Sequence, residues 1–263
     1  MRKLFLLPAL IASLGLVIPD PIAAQTFTNL HNFAGPPNEG NFPRSGVILS
    51  GSKLYGTTAA GGSSDRGTLF SVNRDGTGFT NLHSFTTTTG YNPDTVISSG
   101  DTLYGTARFG GSAHSGTLFA VKTNGTGFTV LHHFAASTPG PDDPWNSPTN
   151  NEGANPFGLI LAGNTLYGTA SGGGSSGQGT VFKLNTNGTG FTTLHSFAPV
   201  YMGFPTTNSE GTTPSSVILS GNTLYGVTAR GGSAGNGTLF AVNTDGTGFT
   251  NLHHFSGSSG ISG

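Results

Sequence analysis

Eight histidines, eleven carboxylates and no cysteine are what this chain of 263 residues offers for proton transfer, metal ligation or nucleophilic attack. Five of the histidines, His31, His83, His132, His195 and His253, each stand two residues before a phenylalanine. Residues placed identically in successive copies of a unit lie far apart, whereas metal ligands must converge. These imidazoles are therefore expected to be structural, partly buried and hydrogen-bonded to backbone. In His132-His133 the two rings fall on opposite faces of a strand and cannot chelate together. Gly173-Gly174-Ser175-Ser176-Gly177 and Gly231-Gly232-Ser233-Ala234-Gly235 satisfy G-x-S-x-G, but no helix follows to make the strand-to-helix elbow that exposes a nucleophilic serine. No catalytic residue is assigned. Oxygen donors gather at Asp142, Asp143 and Glu152, with Asn146, Asn150 and Asn151 nearby. Such donors suit calcium, the one ion the sequence supports, although no known calcium-loop spacing is present. Trp145, the single tryptophan, stands in the same segment. Its indole is either a stacking platform for a sugar ring or an anchor packing that segment down. Arg66 and His114 belong to a third group, with Asp65, Gln178 and Asn236, where otherwise similar loops diverge. The candidate ligand-binding residues are thus Trp145, Asp142, Asp143, Arg66 and His114.

The elements that position these residues are repeats. Leu54-Tyr55-Gly56-Thr57 returns at Leu103–Thr106, at Leu166–Thr169 and, as Leu224-Tyr225-Gly226-Val227, a fourth time. From each tyrosine to the histidine before the closing phenylalanine is 28 residues in all four copies, while the tyrosines themselves are 49, 63 and 58 residues apart. The units are rigid inside and elastic between, as folded modules joined by surface loops must be. Each predicts four strands. The first is apolar (Gly46–Leu49, Ser216–Leu219) and the second carries Leu-Tyr-Gly-Thr. After a Gly-Gly loop comes the third (Gly67–Val72), and after an Asp-Gly or Asn-Gly hairpin the fourth (Phe79–Phe85). Those dipeptides favour two-residue turns with positive φ at both central positions. Strict alternation puts Phe79, Asn81, His83 and Phe85 on one face. The expected fold is all-β, a β-propeller-like array of four-stranded antiparallel blades. Repeat cores span about 46–85, 96–134, 158–197 and 216–255. Phe27–Phe33 forms one extra N-terminal strand, which brings the expected total to 17.

Leu-Tyr-Gly-Thr, Gly-Gly, Gly-Thr-Leu-Phe and Gly-Phe-Thr-x-Leu-His-x-Phe together resemble the Gloeobacter/Verrucomicrobia (GloVer) tandem repeat of exported bacterial choice-of-anchor proteins. The resemblance covers about residues 25–255. It implies an exported or surface-held bacterial protein with a propeller-like repeat region, and it carries no catalytic residues with it.

Residues 1–24 read as a signal peptide: Arg2 and Lys3, an apolar run from Leu4 to Ile18, then Ala23-Ala24 before Gln25. Residues 25–263 are then the repeat domain, secreted, periplasmic or at the cell surface, with no membrane span after cleavage. Charged residues are 8% of the chain and the formal net charge is −1, so no basic field exists to neutralise nucleic-acid phosphates. The expected partner is an extracellular glycan or protein, bound by loops at one end of the array. A carbohydrate-active lyase or hydrolase on the same scaffold would need carboxylates gathered at the axis. A purely structural envelope protein needs neither.

Overall fold

The computed structural model describes residues 27–138, 148–200 and 207–256. The chain is all-β, with no helix among them, and forms four antiparallel sheets in sequence order. The first contains β1 (Gly40–Pro43), β2 (Ile48–Ser50), β3 (Lys53–Gly61), β4 (Thr68–Asn73) and β5 (Thr80–Ser84). Here β1 and β2 are two pieces of one broken first strand, both paired with β3. The second sheet is β6 (Tyr91–Ser99), β7 (Thr102–Phe109), β8 (Thr117–Lys122) and β9 (Thr129–His133). The third is β10 (Ala154–Ala162), β11 (Thr165–Gly172), β12 (Thr180–Asn185) and β13 (Thr192–Ser196). The fourth is β14 (Thr212–Ser220), β15 (Thr223–Arg230), β16 (Thr238–Asn243) and β17 (Thr250–His254). The described residues hold the expected 17 strands, reached differently. The broken first strand supplies the extra one, and residues 27–33 lie on the first sheet without belonging to a strand.

Neighbouring sheets meet through their first and second strands, β3 with β6, β7 with β10 and β11 with β14, and first strands also touch one another. The sheets therefore converge on their first strands and splay outward, as propeller blades do. Each first strand begins earlier than its apolar run suggests, at a recurring Gly-x-x-Pro: Gly40–Pro43, Gly90–Pro93, Gly153–Pro156 and Gly211–Pro214. The residue before the proline takes a positive φ at Phe42, Asn92, Asn155 and Thr213. In three cases its N–H donates to the previous sheet's loop, Asn92 to Arg66, Asn155 to Ser115 and Thr213 to Gln178.

The core lies in the seams. Tyr55, Leu69 and Phe85 of the first sheet pack with Val96, Leu103, Phe119 and Val121 of the second, and the next two seams repeat the set. The glycine of Leu-Tyr-Gly-Thr makes room for a phenylalanine: a Cβ on Gly168 would stand 2.6 Å from Cζ of Phe182. Such burial is the main favourable term available to a chain without disulfides.

Two details depart from the sequence pattern. The hairpin between third and fourth strands has positive φ at Gly76 and Gly78 but not at Asp75. Asp75 instead accepts hydrogen bonds from the Thr77 amide and hydroxyl at 2.9 and 2.7 Å, an Asx-type turn. The fourth strand carries a bulge: Leu69 pairs with His83 and Phe70 with Asn81, leaving Leu82 unmatched. A bulge inverts the alternation. Phe79 consequently faces His31 and Phe33, while His83 and Phe85 face Phe128 of the second sheet.

Candidate binding face at the insertion

Loops joining second to third strands, and connections between sheets, share one end of the array. There Ser63 N–H of the first sheet's loop reaches Ser84 Oγ of its own fourth strand at 3.4 Å, and Gly111 N–H of the second sheet's loop reaches Thr87 O of the preceding connection at 2.8 Å. The connection from β9 to β10 is the longest, and its base is closed by reciprocal backbone bonds between Thr138 and Thr149, both 2.8 Å. Asn150 organises the return. Its amide donates to the carbonyls of Ala135 and Gly153, and its Oδ1 accepts N–H groups of Glu152, Gly153 and Gly174. Asn208 repeats the arrangement before the fourth sheet.

Glu152, an expected calcium donor, is committed elsewhere. Its Oε2 accepts from Ala135 N–H at 2.8 Å and lies 3.0 Å from His132 Nε2. Glu210 does the same with Ala198 and His195, and Glu39 with Ala34 and His31. Three of the five register histidines, His31, His132 and His195, thus bond to glutamates rather than to backbone. Burial pushes His132 and His195 below the ordinary imidazole range, against the opposing pull of Glu152 and Glu210. The neutral ring then donates from Nε2 to the carboxylate. The Ala34 amide, followed by the His31 ring, holds Glu39 below the ordinary carboxylate range despite desolvation. His83 has no glutamate, because its connection is the short one. Its buried Nε2 has no partner, and desolvation lowers its pKa to about 4. The recurrent Glu-Gly at 39–40, 152–153 and 210–211 was the available signal. It was obscured because the histidine precedes it by 8, 20 or 15 residues.

Two clefts flank the insertion's base. One, of about 500 Å³, is lined by Ala136, Thr138, Thr149, Asn151, Glu152 and Ser175. The other, of about 400 Å³, is lined by His114, Ser115, Ser137, Pro148 and Asn155 with the glycines of the third sheet's loop. His114 is exposed, at φ 60°, at the tip of the second sheet's loop. Arg66 is exposed on the equivalent loop of the first sheet, with its guanidinium 4.7 Å from the Tyr91 ring centroid. These two residues lie at the same end of the array but do not line one cleft. Asp142, Asp143 and Trp145 lie outside the described residues. Ser175 Oγ meets Ser196 Oγ at 3.0 Å, a hydroxyl and not a base.

At the inner strands, Arg44, Asp94, Phe157 and Ser215 occupy one register. Burial raises the pKa of Asp94, while Arg108 and Arg44 draw it down. The other described carboxylates serve structure: Asp75 and Asp245 in turns, Asp101 with Lys122 at 2.9 Å, and Asp65 on the Gly61 amide. Among the described residues no three His, Cys, Asp or Glu side chains cluster as a metal site would need. No helix among them is long and apolar enough to cross a membrane.

Comparison with known proteins agrees with this architecture. A puromycin-hydrolyzing peptidase of Mycobacterium tuberculosis superposes with a TM-score of 0.50 at 12% identity, over 82% of this chain and 30% of its own. A protein assigned as TolB from Agrobacterium tumefaciens aligns at 11% identity and TM-score 0.45, over 77% of this chain and 61% of that one. A nidogen/laminin complex aligns at 14% identity and TM-score 0.40, over 78% and 76%. At these identities the likeness concerns the fold alone. No curated protein matches the sequence. The Gloeobacter/Verrucomicrobia repeat matches residues 15–208 and 143–263, two overlapping spans. The chain belongs to the Gloeobacter/Verrucomicrobia repeat family.

Proposed function

We propose that this protein is an exported interaction module of the bacterial cell surface or exterior. In this reading it binds an extracellular glycan or protein through the loops around the β9–β10 connection. One observation carries the proposal: the repeated framework is nearly uniform, while the cleft of about 500 Å³ is lined almost wholly by the longest connection, and that of about 400 Å³ sets Ser137 and Pro148 of the same connection against the loops of the second and third sheets. A uniform scaffold with one elaborated loop is how binding is grafted onto a repeat fold. Export rests on the leader pattern at residues 1–24, with Arg2 and Lys3 before the apolar run. The single acid in the inner register, and the structural duty of the other described carboxylates, favour binding over glycoside hydrolysis, which needs a carboxylate pair.

A glycan array probed with residues 25–263, with and without calcium, tests this. Retention of a defined glycan class is the expected result, and loss in chelator directs the ion question to Asp142 and Asp143. Silence in both conditions sinks the glycan reading and leaves a protein partner.

A further inference from the structure

The seams between sheets share one construction, and the fourth sheet ends on the same surface with no further sheet of the described residues packed against it. In each seam a histidine stacks face to face on the turn phenylalanine of the following sheet. His83 meets Phe128 at 3.6 Å, His132 meets Phe191 at 4.0 Å, and His195 meets Phe249 at 3.6 Å. Phe85, Phe134 and Phe197, two residues further on, are at most 1% exposed. The fourth sheet presents the same residues to solvent: Phe255 is 41%, Leu252 50% and Ile218 67% exposed. Ile218, Tyr225, Val227 and Leu239 line an apolar groove of about 190 Å³ there. The described ring partner of His253 is its own neighbour Phe255.

The other end of the array is the complement. Residues 27–33 lie on the first sheet as a fourth strand does in every seam, with His31 on Phe79 at 3.8 Å and Phe33 against Phe70 at 5.1 Å. Yet they form no strand, since no third strand pairs with them. Beside them Val47 and Leu49 are 52% and 54% exposed. In the complete first seam, Ile48 and Tyr55 of one sheet pack into the same cluster as Val96, the counterpart of Val47. Phe27 occupies the register of Phe79, Phe128, Phe191 and Phe249, the rings on which histidines stack, and it is 97% exposed.

We propose that the open face of β14–β17 docks one further three-stranded antiparallel sheet of this same repeat, which takes residues 27–33 as its fourth strand. One occupant satisfies four unmet requirements: the apolar face of the fourth sheet, the exposed Val47 and Leu49, the unpaired backbone of 27–33, and a ring for His253. In the completed array Phe27 stacks on His253, as Phe249 does on His195. The occupant is defined by continuity with the three existing seams: three strands bearing an apolar first strand, Leu-Tyr-Gly-Thr and Gly-Thr-Leu-Phe, with no fourth strand of its own.

The test extends the full chain after Gly263 with a second copy of residues 207–243, which carry β14–β16. Amides of residues 28–32 should gain at least tenfold protection from hydrogen exchange, and binding of an apolar dye should fall to background. Phe27→Ala and His253→Ala should each be neutral for thermal stability in the unextended chain. In the extended chain each should lower the melting temperature, and non-additively when combined. Unchanged exchange at 28–32 together with unchanged dye binding overturns the proposal. So does light scattering showing that the unextended chain is already a dimer with residues 252–255 protected, because the face would then be covered by a second copy.

Discussion

Nε2 of His132 lies 3.0 Å from Oε2 of Glu152, and the same oxygen accepts the Ala135 N–H at 2.8 Å. The contact joins the end of β9 to the residue before Gly153, where the next sheet begins. It closes the connection at its base, whatever lies between. His31 with Glu39 and His195 with Glu210 close connections of other lengths in the same way. A carboxylate accepting one amide and one imidazole proton forms charge-assisted bonds in a half-buried setting, stronger than a neutral pair. This clip explains how units with rigid interiors tolerate elastic connections.

Glu152→Ala should cost about 2–3 kcal/mol, because Ala135 N–H and His132 Nε2–H would both lose their acceptor. Glu152→Gln should cost about 1 kcal/mol, since an amide oxygen still accepts from Ala135. Urea denaturation of both variants checks the order. Equal stability of Glu152→Ala and the parent would show that the clip holds nothing.

His83 gives the fold a specific acid sensitivity. Its pKa is about 4 in the folded state, against about 6.5 unfolded. The neutral ring is therefore the folded form, and its contribution is fully present above pH 6.5. It is lost as the pH falls toward 4, because the unfolded chain takes up the proton first. After discounting for partial exposure, the loss should be about 2 kcal/mol. His83→Phe keeps a flat ring against Phe128 and removes the unpartnered nitrogen. Its stability relative to the parent should rise between pH 6.5 and 4.5, measured by thermal unfolding at each pH; a difference constant with pH would contradict this.

Gly168→Ala places a methyl group 2.6 Å from Phe182 Cζ and 2.9 Å from the Gly158 carbonyl. Overpacking of this kind should cost about 1–3 kcal/mol, or several degrees in melting temperature. Gly46→Ala, where a Cβ meets nothing within 4 Å, should be within about 0.5 kcal/mol of the parent.

Replacing residues 136–149 by a short Gly-Ser linker, with Asn150, Glu152 and Gly153 retained, should keep the circular dichroism spectrum. The melting temperature should change by no more than a few degrees, because loop length enters stability only logarithmically. Any glycan or protein retained by the parent should be lost. Retained binding would move the site to the loops of Arg66 or of the third and fourth sheets.

The repeat by itself determined the all-β class, the four sheets and their internal pairing, because each strand is local and its hairpins are written in adjacent residues. The structural role of the register histidines was legible from their recurrence between phenylalanines. Their partners were not: Glu39, Glu152 and Glu210 stand at unequal distances along the chain and meet the rings only where loops fold back. The bulge at Leu82 was invisible to alternation, because two residues opposing one is a property of the partner strand. Nor could the string of residues distinguish Phe255, half in water, from Phe85, fully covered. Both end the same motif, and only the presence or absence of a neighbouring sheet decides which one is core. The extra segment at 27–33 was evident as a count. That it covers half of one face, leaves Val47 and Leu49 open and holds Phe27 in solvent is a matter of packing between sheets, which tertiary structure alone supplies.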